Sequence, residues 1–154
     1  ERRQELDSEL EQIDFRNRKR VENANQIKLA VHSFLAMENL TGGIGGRVSE
    51  IAKELNTVIE KNLEDEEAID SKSRFAKFFI GGNSEIGERL KNRVEGTQHK
   101  IQELKQLRDN CECDEEVKAF MQEQISNLES EMSRLEKISN YEISKKGIFG
   151  WLRK

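Results

Sequence analysis

Apolar residues recur at alternating spacings of three and four positions through four long stretches of this chain. Such spacing places the apolar side chains on one face of a helix, as in the heptad seam of a coiled coil. The pattern predicts helices over about residues 3–40, 47–80, 84–109 and 114–143. In the first helix the seam holds Leu6, Leu10, Ile13, Ala24, Ile27, Val31 and Phe34.

The three later seams are equally regular. The second carries Val48, Ile51, Ala52, Leu55, Ile59 and Leu63. The third carries Leu90, Val94, Thr97, Ile101 and Leu104. The fourth carries Met121, Ile125, Leu128, Met132 and Leu135. None of these apolar stripes is wide enough to stabilise an isolated helix, so each helix must bury its stripe against another helix in this chain or in a partner.

Two glycine clusters and a cysteine-containing turn separate the predicted helices. The first cluster is a candidate hinge, because glycine disfavours helix and permits a sharp reversal; it consists of Gly42, Gly43, Gly45 and Gly46. A second break at residues 81–82 is followed by Asn83 and Ser84, either of which can cap the third helix. Asp114, after the cysteine turn, is the predicted N-cap of the fourth helix.

Short connections between long helices favour antiparallel neighbours. We therefore predict an all-α fold: an elongated antiparallel four-helix bundle or a set of coiled-coil hairpins, in up-down-up-down order, forming a single domain over residues 1–143. In this topology the glycine hinge and the cysteine turn lie at one end. The turn at residues 79–84 and the segment after residue 143 lie at the other end.

Composition and charge argue against several classes of protein and of partner. Proline is absent, which allows long uninterrupted helices. The 26 basic and 30 acidic residues nearly cancel along the chain and create no broad positive field, so nucleic acid is disfavoured as a partner. Two cysteines, Cys111 and Cys113, cannot form the disulfide framework of a small secreted domain, and no signal peptide or membrane span is visible. We expect a cytoplasmic protein that can lie at the membrane surface.

A search for reactive or ligand-binding patterns predicts no catalytic residue, cofactor or metal. His32 and His99 lack the surroundings of a catalytic base, and the Glu-x-x-His pairs of di-iron bundles are absent. The glycine cluster lacks the Gly-Lys-Ser/Thr ending of a phosphate loop. The acidic run at residues 64–67 lacks the ligand spacing of a calcium loop, and we interpret it as a solvated charged face. The protein is therefore predicted not to be an enzyme.

Two short segments combine aromatic and basic residues, and both are predicted at the same end of the bundle. Tryptophan and phenylalanine beside lysine and arginine are typical of contacts with a partner groove or with a membrane surface. The first candidate contact segment contains Arg74, Phe75, Lys77, Phe78 and Phe79. The second contains Lys145, Lys146, Ile148, Phe149, Trp151, Leu152, Arg153 and Lys154. A purely structural alternative is that the two segments pack together and seal the end of the bundle.

The leading functional hypothesis is a non-enzymatic helical interaction or scaffold domain, which acts on a protein partner or by self-association through its seams and its aromatic, basic end. A second hypothesis is a peripheral module that binds anionic lipid or a membrane protein through the segment after residue 143. A third is a ligand-sensing bundle excised from a larger receptor, since the sequence begins at Glu1 without methionine.

Overall fold

The computed structural model describes residues 22, 25, 27–37, 42–71 and 81–145. These ranges contain four α-helices: α1 over residues 27–36, α2 over Gly45–Ser71, α3 over Ser84–Asp109 and α4 over Glu115–Ser144. A short 3-10 helix, Gly42–Ile44, directly precedes α2. The described ranges contain no β-strand, which confirms the all-α prediction. The seam residues Leu6, Leu10, Ile13 and Ala24 lie outside the described residues.

A single apolar core runs between the helices, and the predicted seams supply most of it. Burying each of these side chains contributes roughly 1.5–3 kcal/mol relative to leaving it in water. From residues 27–37 and α2 the core takes Ile27, Val31, Phe34, Met37, Val48, Ile51, Ala52, Leu55, Ile59 and Ile69. From α3 and α4 it takes Ile86, Leu90, Val94, Ile101, Leu104, Met121, Ile125, Leu128, Met132 and Leu135.

Helices α3 and α4 form a closely packed hairpin. In the half of α3 nearer the turn, Lys105 Nζ donates to Glu129 Oε1 in the middle of α4 at 2.7 Å. At the opposite end, a Cβ on Gly87 would lie 2.9 Å from a side-chain carbon of Ile143, so the helix backbones approach closely there. Residues early in α3 therefore face residues late in α4, and the two helices run in opposite directions. The turn between them holds a disulfide joining Cys111 and Cys113.

The two predicted N-cap residues of the hairpin differ in their hydrogen bonds. The Asn83 side chain accepts a hydrogen bond from the Ile86 N–H at 3.3 Å, which confirms Asn83 as the N-cap of α3. Asp114 occupies the N-cap position of α4, but its side chain makes no capping hydrogen bond. The first turn of α4 instead gains from Glu115 and Glu116, whose negative charges favour the positive end of the helix dipole.

Helix α2 packs against α3, also in the opposite direction. Arg47, in the first turn of α2, donates through Nη2 to Glu103 Oε2 at 2.9 Å, whereas Asp65 in the later half of α2 meets Arg89 near the start of α3. Five α2 seam residues are buried as predicted, and Leu63 is partly buried.

The interpretation of the acidic run as a solvated charged face is wrong for its two central residues. Asp65 is only 7% exposed and Glu66 only 6%, while Glu64 and Glu67 are exposed. The helix continues through the run to Ser71 without interruption. Asp65 and Glu66 occupy inward-facing positions that continue the α2 seam, and arginines from α3 and α4 neutralise them.

Candidate functional site

The start of α3 and the end of α4 are joined at one end of the molecule. Gly81 has a φ of 93°, in the left-handed region where glycine carries no steric penalty. The backbone N–H of the next residue, Gly82, donates to the Lys145 carbonyl oxygen at 2.8 Å. A Cβ on Gly82 would overlap the carbonyl oxygen of Glu142. The close approach therefore depends on the absence of a side chain at position 82.

A buried carboxylate reinforces this junction. Glu142 is 2% exposed, and its Oε2 accepts a hydrogen bond from the Asn83 N–H at 2.8 Å. A buried carboxylate needs such a partner, because desolvation without a hydrogen bond is costly. Gly82 and Asn83 thus hold the last turn of α4 against the first turn of α3 through one backbone bond and one side-chain bond.

Lys145 is the one predicted contact residue within the described part of the chain. Its Nζ donates to the Tyr141 hydroxyl at 2.6 Å and lies 4.9 Å from the centre of the Tyr141 ring, within the range of a cation–π contact. Its charge is therefore held against α4. The following predicted contact residues lie outside the described residues: Arg74, Phe75, Lys77, Phe78, Phe79, Lys146, Ile148, Phe149, Trp151, Leu152, Arg153 and Lys154.

The hydrogen bond between Gly82 and Lys145 nevertheless fixes where both aromatic, basic segments attach. Residues 72–80 lead directly into Gly81, and residues 146–154 follow directly on Lys145. The first segment therefore ends, and the second begins, next to the hydrogen bond between Gly82 and Lys145. We call this the junction end of the molecule, defined by residues 81–83 and 142–145.

The candidate hinge glycines lie at the opposite end. Gly42 and Gly43 belong to the 3-10 helix, whereas Gly45 and Gly46 form the beginning of α2. A Cβ at Gly43 or Gly46 would meet no atom within 4 Å, so neither glycine is required by close packing among the described residues.

A layer of charged side chains crosses the bundle between the junction end and the middle of α2. Asp65 accepts from Arg89 Nη2 at 2.6 Å and also pairs with Arg93, and Arg93 Nε donates to Asn62 Oδ1 at 2.7 Å. Burial raises the pKa of the Asp65 carboxyl, but the hydrogen bonds from Arg89 and Arg93 outweigh burial and hold its pKa below the usual range. Asp65 is therefore a charged link from α2 to α3.

Glu66 makes the corresponding link from α2 to α4. Both of its carboxylate oxygens accept from Arg134, each at 2.7 Å, in the bidentate geometry that suits a guanidinium. Arg134 also donates to Glu131 at 2.6 and 2.8 Å. Burial lowers the pKa of Arg134, but its two carboxylate partners outweigh burial and raise it, so the guanidinium stays charged.

Sequence reasoning missed this charge layer, although a signal was present. From Leu55 and Ile59 the three-and-four spacing continues to Asn62, Glu66 and Ile69. Polar residues at buried positions of a seam require polar or oppositely charged partners. Arg89 and Arg93 are candidates for such partners, because they lie one helical turn apart on the next helix.

An apolar groove lies between the end of α1 and the start of α4. Its volume is about 370 Å³, and Phe120 on its wall is 40% exposed. The groove is open, and one of its lining residues, Glu116, is charged. The described residues that line it are Ser33, Ala36, Met37, Glu116, Val117 and Phe120.

No family model matches this sequence, and comparisons with curated proteins and with solved structures find no match. Among the described helices, none has a stretch long and apolar enough to cross a bilayer. The described residues also contain no cluster of three or more His, Cys, Asp or Glu side chains placed to hold a metal ion.

Proposed function

We propose that this protein is a non-enzymatic helical interaction or scaffold module that binds a protein partner through its junction end. The observation that carries the proposal is the hydrogen bond from the Gly82 N–H to the Lys145 carbonyl, 2.8 Å long. It attaches two segments rich in aromatic and basic residues to one point of the helical bundle.

The chemistry of the two segments supports this role. Residues 146–154 contain four large apolar residues and three basic residues with no acid, and residues 74–80 add three phenylalanines and two basic residues. Buried aromatic and arginine side chains dominate the binding energy of protein interfaces. A preformed helical base lowers the ordering cost of binding, because the attachment points are already fixed.

The proposed arrangement is an up-down-up-down bundle with coiled-coil-like seams. The reversed pairing of α2 with α3, and of α3 with α4, supports this order, and the groove between α1 and α4 fits a fourth helix beside the other three.

The fluorescence of Trp151, the only tryptophan, tests the proposal. If residues 146–154 are available for a partner, acrylamide should quench Trp151 in the dilute monomer nearly as strongly as in the urea-unfolded chain. A variant with Phe120→Trp and Trp151→Phe provides a comparison, since position 120 is 40% exposed and should show intermediate quenching. Strong protection of Trp151 in the dilute monomer would mean that the segment seals its own bundle, and the proposal would be wrong.

A peripheral membrane module is the second candidate function. Its specific support is the run of Lys145, Lys146, Arg153 and Lys154 around Trp151, because tryptophan favours the lipid interface and lysine and arginine favour anionic headgroups. Anionic lipid is enriched on the cytoplasmic leaflet, where we place this activity.

Vesicle sedimentation distinguishes the two candidates. A membrane module should sediment with phosphatidylserine vesicles, remain in solution with neutral vesicles, and lose binding in a Phe149→Ser/Trp151→Ser variant. Equal recovery of the variant and the unchanged protein with anionic vesicles would remove the membrane role and leave the protein-interaction role in place.

A further inference from the structure

We propose that the protein assembles head to tail: residues 146–154 of one copy dock in the groove between α1 and α4 of a second copy. This inference rests on the proposed function, because it names the partner of the junction end as another copy of the same chain. The groove lies at the start of α4, and the docking segment follows directly on the end of that helix.

The groove and the segment have matching apolar chemistry. The groove is walled by Met37, Val117 and the exposed face of Phe120, and the small residues Ser33 and Ala36 leave it open. Its volume of about 370 Å³ lies at the lower end of the range of ligand pockets, which suits one or two large side chains rather than a whole helix. Residues 146–154 offer such side chains at Phe149 and Trp151.

Charge favours the same pairing. The stretch 109–116 beside the groove contains five exposed carboxylates and no basic residue. Arg108 and Lys118 pair with two of these carboxylates, and the other three have no basic partner among the described residues. The positive end of α4 offsets only about half a charge. Residues 146–154 carry three positive charges and no negative one, so the two surfaces attract each other.

The segment cannot reach the groove of its own chain. Phe120 precedes Lys145 by 25 residues within α4, which at 1.5 Å per residue separates them by about 38 Å. Nine residues span at most about 32 Å when fully extended. Docking must therefore join two copies.

A contact between different surfaces of two copies is heterologous, so it closes into a reciprocal dimer or a larger ring, or continues as an open chain. The groove is small, so each contact is weak and assembly depends on protein concentration. The weight-average mass measured by sedimentation equilibrium should therefore rise with concentration above that of the monomer.

Two single-sided variants test the inference directly. Phe120→Glu blocks the groove and keeps the segment, whereas Phe149→Ser/Trp151→Ser removes the docking side chains and keeps the groove. Each variant alone should sediment as a monomer at concentrations where the unchanged protein assembles. An equimolar mixture of the two should form a one-to-one heterodimer, because one intact groove meets one intact segment.

Further variants separate loss of docking from loss of folding. Ala36→Glu blocks the same groove from α1 and should behave like Phe120→Glu, whereas Ser130→Glu adds the same charge at an exposed position of α4 and should assemble like the unchanged protein. Circular dichroism should show that Phe120→Glu, Ala36→Glu and Ser130→Glu have the same helix content as the unchanged protein. Raising the salt concentration from about 0.1 M to about 1 M shortens the screening length from about 10 Å to about 3 Å and should weaken assembly.

The outcomes distinguish this inference from the proposed function. Self-association of Phe120→Glu alone, or a mixture that stays monomeric, overturns head-to-tail docking. If Trp151 is quenched freely in that same mixture, the segment is still available for another partner and the proposed function stands. If Trp151 is protected in the dilute monomer, both the inference and the proposed function fail.

Discussion

Gly82 is the position where one added methyl group should do most damage. Its Cβ would overlap the Glu142 carbonyl oxygen, which is backbone and cannot move without shifting the last turn of α4. We expect Gly82→Ala to lower the free energy of unfolding by roughly 1–3 kcal/mol, the usual cost of forcing extra volume into a packed contact. Urea denaturation measures the change.

Gly96 provides the matched control. It lies inside α3, and a Cβ there would meet no atom within 4 Å. Replacing a helical glycine with alanine in open space stabilises by roughly 0.5–1 kcal/mol, so Gly96→Ala should raise the free energy of unfolding. If Gly82→Ala raises the free energy of unfolding as Gly96→Ala does, the contact between α3 and α4 does not depend on a glycine at position 82.

Thr97 should gain stability when its hydroxyl is removed. The side chain is 1% exposed, and its oxygen has no hydrogen-bond partner among the described residues. Burying an unpaired hydroxyl is unfavourable, and valine has nearly the same shape, so Thr97→Val should raise the free energy of unfolding by about 1 kcal/mol. The exposed Thr57→Val should change it by less than about 0.5 kcal/mol. A loss of stability in Thr97→Val would show that its hydroxyl is hydrogen-bonded.

Helix α2 depends on charge as well as on apolar packing for its attachment to the α3–α4 hairpin. Asp65→Asn removes the charge that Arg89 and Arg93 share, and because Arg89 is half-exposed we expect a loss of about 1–2 kcal/mol at neutral pH. The pKa of Asp65 is lower in the folded protein than in the unfolded chain. Its contribution is therefore complete above the unfolded value of about 3.9 and disappears as the pH falls through the folded value.

The pH dependence separates this effect from simple loss of packing. The stability difference between the unchanged protein and Asp65→Asn should be constant from neutral pH to about pH 5 and should shrink in more acidic solution. The neighbouring Glu64→Gln removes an exposed charge from the same turn of α2 and should change stability by less than about 0.5 kcal/mol. A difference that stays constant down to acidic pH would mean that the Asp65 charge is not the cause.

The bounds of α3 and α4 could be predicted closely from local signals. Asn83 after two glycines marks the start of α3, and Asp114 after the cysteine turn marks the start of α4, because caps and breakers act within a few residues. Regular seams identified the buried face of every described helix. Asp65 and Glu66 were misassigned because their burial depends on arginines of two other helices, and such partners are not visible in a local pattern.

The junction end and the groove differ in how far the sequence predicts them. An antiparallel pairing of α3 with α4 brings the start of α3 beside the end of α4, and the hydrogen bond between Gly82 and Lys145 is a contact of this kind. The groove could not be predicted, because Phe120 reads as a residue flanking the α4 seam. Its place in a groove with Ala36 depends on where α1 lies relative to α4, which a local pattern does not show.

The distribution of contacts predicts that the molecule opens in stages. Of the helices α2, α3 and α4, the closest packing is between α3 and α4, whereas fewer residues of α2 lie against α3 and the charge layer joins the two. Local opening free energies follow buried contacts, so backbone amides of α3 and α4 should exchange with deuterium most slowly and those of α2 earlier. Asp65→Asn should speed exchange over residues 60–71 more than in the hairpin, and mass spectrometry of peptic fragments measures both. If Asp65→Asn instead speeds amide exchange equally in α2, α3 and α4, the three helices open as one cooperative unit. The charge layer would then stabilise all three helices and not only the attachment of α2.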